Sequence, residues 1–279
     1  MHTLTFMVYL IYGVSFWIVY LIIFIQMMRP MYQKYFSSSF FTLAKILAVV
    51  DLCGHIVFTC LFKIPISNLF GPLFAKVTPN YGWSVLYFVG YIEEFIRAML
   101  ILATTLNRLT SLIWPHSHES RWKTAMPGVI AICFVVPFCL SFQRLFAPTG
   151  VIPTDPVNEL FVFSTNLLDW YPNELNALTM ASFYAIVGTA TVIVNLSSLL
   201  TLYLYKRDQK LHLHHRKSIR KTEIGLVLVS FGDAVGMMLM TAVQNLQKSE
   251  IKKLQHHCNF KLKQDTRSKN CITERNNQK

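Results

Sequence analysis

Six apolar runs interrupt this chain, and their length constrains its fold more than any other feature. A hydrocarbon core about 30 Å thick takes roughly 20 residues of helix to cross, with a range of about 17 to 25. The runs lie at about 5–28, 40–61, 84–107, 125–142, 178–205 and 224–243. They predict an all-α integral membrane protein: a helical bundle over residues 1–246 with about six transmembrane helices, followed by a basic, polar tail at 247–279 that is too poor in apolar residues to fold on its own. The first run is no cleavable signal peptide, because no Lys or Arg precedes it and it is too long for the apolar part of one. It reads as a signal anchor with the N-terminus outside.

Charge placement tests that orientation. The net charge of +12 would suit a nucleic-acid partner, but Lys and Arg gather in short segments between the apolar runs, so the expected partner is the lipid bilayer and not nucleic acid. Basic loops are retained on the cytoplasmic side. The first, third and fifth connections together carry 12 Lys and Arg, and the second and fourth carry 3. The odd connections are therefore expected inside, and the long fourth one, with Pro148, Pro153, Pro156 and Pro172 among Asp155, Glu159, Asp169 and Glu174, becomes an acidic outer loop. The tail conflicts with this arrangement. It holds nine Lys or Arg against three acids, yet six crossings would leave it outside. Either the sixth run does not cross, or a seventh helix is missing; the abrupt change after Leu246 favours the second.

Ionisable side chains in hydrocarbon cost a few kcal/mol or more and usually face partners inside a bundle. The third run holds Glu93, Glu94 and Arg97, and Arg97 stands four residues after the first acid and three after the second, so one helical face can pair them. They form either a structural ion pair or the lining of a ligand or ion cavity. Asp51 in the second run and Asp233 in the sixth are lone acids on apolar helices. Together these five are the candidates for a ligand pocket. Cys53, Cys60, Cys133 and Cys139 fall within apolar runs and read as small buried hydrophobes. Neither the cysteines nor the His-rich 211–216 has a metal-site pattern, and no nucleophile, HExxH or paired-Asp signature points to an enzyme. No cofactor or metal is expected.

At the end of the third run the chain reads Thr105-Leu106-Asn107-Arg108-Leu109, with Pro115 seven residues after Arg108. This resembles the signature that closes the third helix of G-protein-coupled receptors, with Asn107 in place of the usual acid. The Asn-Arg form, the following His116-Ser117-His118-Glu119-Ser120-Arg121-Trp122, and the second-run text from Ser38 to Leu52 are similar to the nematode serpentine chemoreceptors of class gamma (srg) and the closely related srv family. The likeness covers about 5–243. It implies a seven-helix receptor in the plasma or ciliary membrane, a small-molecule or peptide ligand bound from outside, and a heterotrimeric G protein within. By the same likeness Asn107, Arg108 and the basic Arg216, Lys217, Arg220 and Lys221 become candidates for coupling. The missing seventh helix and the lack of a cysteine near the outer end of the third run put signalling competence in question. The rival readings are a transporter or channel that uses the Glu/Arg groups as a polar pathway, and a nonsignalling membrane protein.

Overall fold

The computed structural model describes residues 3–32, 36–67, 70–155, 160–165 and 173–209. Five long helices account for most of them: α1 (Thr3–Met28), α2 (Ser39–Phe58), α3 (Tyr81–Ile113), α4 (His118–Ser141) and α5 (Asn173–Gln209). These correspond to the first five predicted spans. The sixth span, Asp233 and the tail lie outside the described residues. Helix is the natural outcome for such runs, since hydrocarbon offers no partner for backbone N–H and C=O and a helix satisfies them within the segment. Four helical stretches, at Phe6–Met28, Ser39–Lys63, His118–Phe146 and Leu178–Leu204, have the length and apolar character to cross a membrane. Helix α3 is 33 residues long but bears Glu93, Glu94, Arg97 and Arg108, and is not among those four.

Local chemistry sets the helix ends. At the start of α3, Asn80 accepts the Trp83 amide through Oδ1 at 3.0 Å, a side-chain N-cap that satisfies one orphan donor. The helix stops at Trp114, just before Pro115, where the residue preceding a proline is pushed out of helical geometry. Beyond α2 the backbone widens into a π turn over Thr59–Lys63, with the Ile64 amide bonded five residues back to the Thr59 carbonyl. Pro65 follows directly, and its ring would crowd the carbonyl four residues earlier, at Leu61, in a regular helix. The wider turn relieves that crowding. Helix α4 tolerates Pro127 and Pro137, then tightens into a 3-10 turn over Phe142–Phe146.

Helix α3 is the centre of the bundle and packs against α2, α4 and α5, while α1 lies against α2. The core joins Leu43 of α2 to Ile96, Leu100 and Ala103 of α3 and to Met126 and Cys133 of α4. Small residues allow close approach: Gly90 of α3 faces Leu61 and Val57, and Gly13 of α1 faces the His55 ring. The outward faces stay apolar, with Ile11 and Ile186 about 70% exposed, as suits helices solvated by lipid. Cys133 is buried, as the sequence predicts, but Cys53, Cys60 and Cys139 sit on the exposed faces.

The fourth connection departs from expectation. It contains an antiparallel hairpin of β1 (Thr149–Asp155) and β2 (Leu160–Thr165), with Thr149 opposite Thr165 and an irregularity between Pro153 and Asp155. The hairpin is docked on the start of α3. Ser84 donates to the Ala147 carbonyl at 2.6 Å and accepts from the Thr149 amide at 3.0 Å, and the Asn80 amide donates to the Thr149 carbonyl at 3.1 Å. Phe161 and Phe163 close a second core with Leu61, Phe74 and Tyr87, and the Phe163 ring lies 5.0 Å from that of Trp83. Gly150 lies so close to the Pro79 ring that a side chain there would collide with it.

Candidate functional site

Polar side chains gather at three levels of the bundle. Midway along the helices, Asp51 of α2 meets Arg97 of α3 with Nε 3.1 Å from Oδ1, and accepts a 2.7 Å hydrogen bond from the Tyr20 hydroxyl of α1 on Oδ2. Three helices are thus joined through one carboxylate. This corrects the picture of Asp51 as a lone acid, and it gives Arg97 an ion-pair partner on another helix where the sequence pointed to one on its own. The correction has a geometric cause, since sequence spacing shows neighbours on one helix and not those brought across by packing. The Glu93 side chain turns toward α2, and its carboxyl occupies the place that a Cβ at Gly54 would fill. Two residues on, Phe95 packs edge-on to Phe183 of α5 and stacks on Tyr184, with centroids 4.6 and 5.7 Å apart. Glu93 of α3 therefore faces α2, while Phe95 faces the aromatic surface of α5.

At the end that holds the Asn107-Arg108 pair, α3 does not stop as the sequence suggests. It runs on to Ile113, so both residues sit within the helix and more than a turn from its end. Asn107 is fully buried and donates through Nδ2 to the Ser39 hydroxyl at 2.9 Å. Ser39 in turn donates its backbone amide to Glu119 Oε1 at 2.9 Å and its hydroxyl to Oε2 at 3.0 Å. Glu119, in the first turn of α4, thereby caps the first turn of α2 from another helix. His118 reaches the Asn107 carbonyl at 3.0 Å through Nε2, and Trp122 donates to Thr110 at 2.7 Å. The Arg108 guanidinium lies 4.8 Å from the centroid of the Phe40 ring. Asn107 is thus an internal joint of this end, and Arg108 lies beside the entry to α2. Arg216, Lys217, Arg220 and Lys221 fall outside the described residues.

The hairpin end holds a residue that sequence alone does not single out. Arg144, in the 3-10 turn after α4, is buried. Its guanidinium carbon lies 3.3 Å from the Tyr91 ring centroid and 5.4 Å from that of Tyr87, and Nη2 donates to Asn176 Oδ1 of α5 at 2.6 Å. Lys45 was likewise unforeseen. It starts within the second apolar run and extends along α2 to donate to the Phe36 carbonyl at 3.1 Å, which keeps its charge near the end of the helix. A helical pattern alone shows neither residue's partner. Among the described residues no cluster of His, Cys, Asp and Glu is arranged to hold a metal.

Long apolar helices with lipid-facing surfaces, joined to one another by polar groups turned inward, define a multi-pass membrane protein. Residues 6–263 match the model of the Srg family chemoreceptors, and the chain belongs to that family. The match extends past the sixth predicted span into the first half of the basic tail. Among similar proteins of Caenorhabditis elegans, serpentine receptor class gamma-14 is 23% identical over 116 residues, 40% of this chain and 35% of that receptor. Class gamma-9 is 22% identical over 208 residues, 72% of this chain and 57% of that receptor. Class V-1 is 29% identical over 137 residues, 45% of this chain and 42% of that receptor. The chain thus spans from about a third to somewhat over half the length of the curated relatives it matches. Kinship with chemoreceptors is kinship with receptors rather than enzymes.

Proposed function

We propose that this chain acts as a chemosensory receptor of the G-protein-coupled type in the plasma or ciliary membrane, with Met1 and the hairpin end outside. The observation that carries this reading is the match of residues 6–263 to the chemoreceptor family. Orientation is supported by the twelve-to-three excess of Lys and Arg in the odd connections. In this reading 1–246 is the transmembrane bundle and 247–279 its basic, polar tail. A small-molecule or peptide ligand enters from the hairpin end, and its binding is felt at the midspan cluster of Asp51, Glu93, Glu94 and Arg97, with Asp233 joining from the sixth span. The opposite end offers Arg108 and the basic Arg216, Lys217, Arg220 and Lys221 to a heterotrimeric G protein, and Asn107 holds the helix ends in register behind them.

The test is agonist-independent recruitment of a panel of G-protein α subunits, measured by resonance energy transfer in cells expressing the tagged full chain. The wild type is expected to recruit at least one subunit above background, and Arg108→Ala to lower that signal about tenfold at equal surface expression, on the scale of losing one strong charge-assisted contact. A chain that recruits none, and instead carries an ion current abolished by Glu93→Gln, is a transporter or channel.

A further inference from the structure

The joint at the Asn107 end holds a titratable ring whose proton position is fixed by its surroundings. His118, the first residue of α4, is buried and stands before the fourth apolar run begins. Its Nε2 lies 3.0 Å from the Asn107 carbonyl of α3, which also accepts from the Thr110 hydroxyl at 2.9 Å. A carbonyl only accepts, so the ring carries its N–H on Nε2, and a neutral imidazole has one such proton. Nδ1 is then a bare acceptor. It faces another acceptor: Glu119 Oε2 is 3.9 Å away, too far for a hydrogen bond but within ion-pair distance. The same oxygen accepts from the Ser39 hydroxyl at 3.0 Å, and Oε1 accepts from the Ser39 amide at 2.9 Å, which holds the carboxylate in place from α2. A proton added at Nδ1 turns this meeting of two acceptors into a charged bridge.

We propose that His118 is a proton-operated clamp: protonation at Nδ1 closes a chain from the Asn107 carbonyl of α3, through the imidazolium and Glu119 of α4, to Ser39 at the first turn of α2. Within 36–45 and 105–124 the other charged or titratable groups are Lys45, Arg108, His116, Glu119, Arg121 and Lys123, and Glu119 is the one acid among them. The cations that oppose a charged ring are directed elsewhere. Lys45 reaches the Phe36 carbonyl, Arg108 lies over the Phe40 ring and Arg121 over the Trp114 ring, while His116 and Lys123 are exposed. Histidine is the side chain whose charge ordinarily changes between about pH 5 and 8. Protonation adds a bond that the unfolded chain lacks, so the clamp's contribution is present on the acid side and is lost as the pH rises and the ring gives up its proton. The inference goes beyond the receptor reading. It rests on that reading only for the claim that this end faces the cytoplasm, where the clamp makes coupling respond to cytoplasmic acidity.

The experiment is a double-mutant cycle run at two pH values on the purified full chain in detergent, read as denaturant unfolding. His118→Gln keeps an amide N–H where Nε2–H donates and cannot take up charge. The ratio of wild-type to His118→Gln folding constants is expected to be about two- to fivefold larger at about pH 5.5 than at about pH 7.5, the scale of one partly exposed ion pair. In the Glu119→Gln background, where the ring meets no carboxylate, the same ratio is expected to stay constant over that interval. A His118 that only packs gives a ratio independent of pH in both backgrounds, which overturns the proposal. So does a pH dependence that Glu119→Gln leaves undiminished. Should His118→Gln fail to fold, nitrogen NMR spectra of the histidine rings in the wild type and in Glu119→Gln decide by themselves. One of the nine rings is expected to carry its single proton on Nε2 and to need more acid for its second proton in Glu119→Gln than in the wild type. Identical titration of every ring in the two chains overturns the clamp. None of these readouts needs a G protein, so a chain that shows the pH-dependent ratio but recruits no α subunit refutes the receptor reading and keeps the clamp.

Discussion

Arg97 shows what a single residue contributes to this bundle. Its guanidinium is about half exposed on the α3 surface and meets Asp51 at 3.1 Å, while Tyr20 fixes the other carboxylate oxygen. Removing one member of such a pair takes from the other its opposite charge in hydrocarbon, which costs more than the pair itself contributes. Arg97→Gln is expected to lower stability by about 1–2 kcal/mol, the lower part of the range because the group is half exposed. Arg97→Lys should cost less than half as much, and adding Asp51→Asn to Arg97→Gln should recover part of the loss, read as thermal unfolding of the detergent-solubilised chain. Additive losses in the double variant would show that the two side chains are not coupled. The sequence revealed these charges because each is expensive in a hydrophobic run, and it could not reveal Tyr20 or the approach of Asp51, which depend on how α1 and α2 pack.

Among the elements, the joint between α2, α3 and α4 is the most specific. Glu119 supplies both acceptors at the first turn of α2, and Asn107 completes the network from α3. Replacing a capping carboxylate by Ala typically costs about 0.5–2 kcal/mol. Glu119→Ala is therefore expected to lower the melting temperature and to raise hydrogen exchange over the first turn of α2, and Glu119→Gln to do less, since one amide oxygen still accepts. Asn107→Asp adds a second carboxylate beside Glu119 and should destabilise this end rather than improve it. Protection at Ser39 and Phe40 that stays unchanged in Glu119→Ala would remove the cap from the account. Helix α3 itself was legible from its apolar length, but the extra turns to Ile113 were not, because Asn107 and Arg108 look terminal in sequence and are carried within the helix by burial and by the stop at Pro115. The hairpin was illegible for another reason. Its strands lie in a proline-rich, acidic connection, and they are held by Phe161 and Phe163 packing on Phe74, Trp83 and Tyr87, far away in sequence.

For the whole molecule, each of the five long helices overlaps one of the first five apolar runs, and the family match extends over nearly all of the chain. Span length and charge asymmetry were enough to assign membrane class and to propose an orientation, whereas the contacts that make a site, at Arg144, Glu119 and Tyr20, appear only once the helices are assembled. The proposed orientation puts Lys76 and the hairpin outside and the turn between α3 and α4 inside. Single cysteines at Lys76→Cys and His116→Cys, in a chain with all six native cysteines replaced by Ser, allow this to be measured with a membrane-impermeant maleimide on intact and permeabilised cells. The account predicts labelling of the first in intact cells and of the second only after permeabilisation. The reverse pattern, or labelling of both in intact cells, would contradict it.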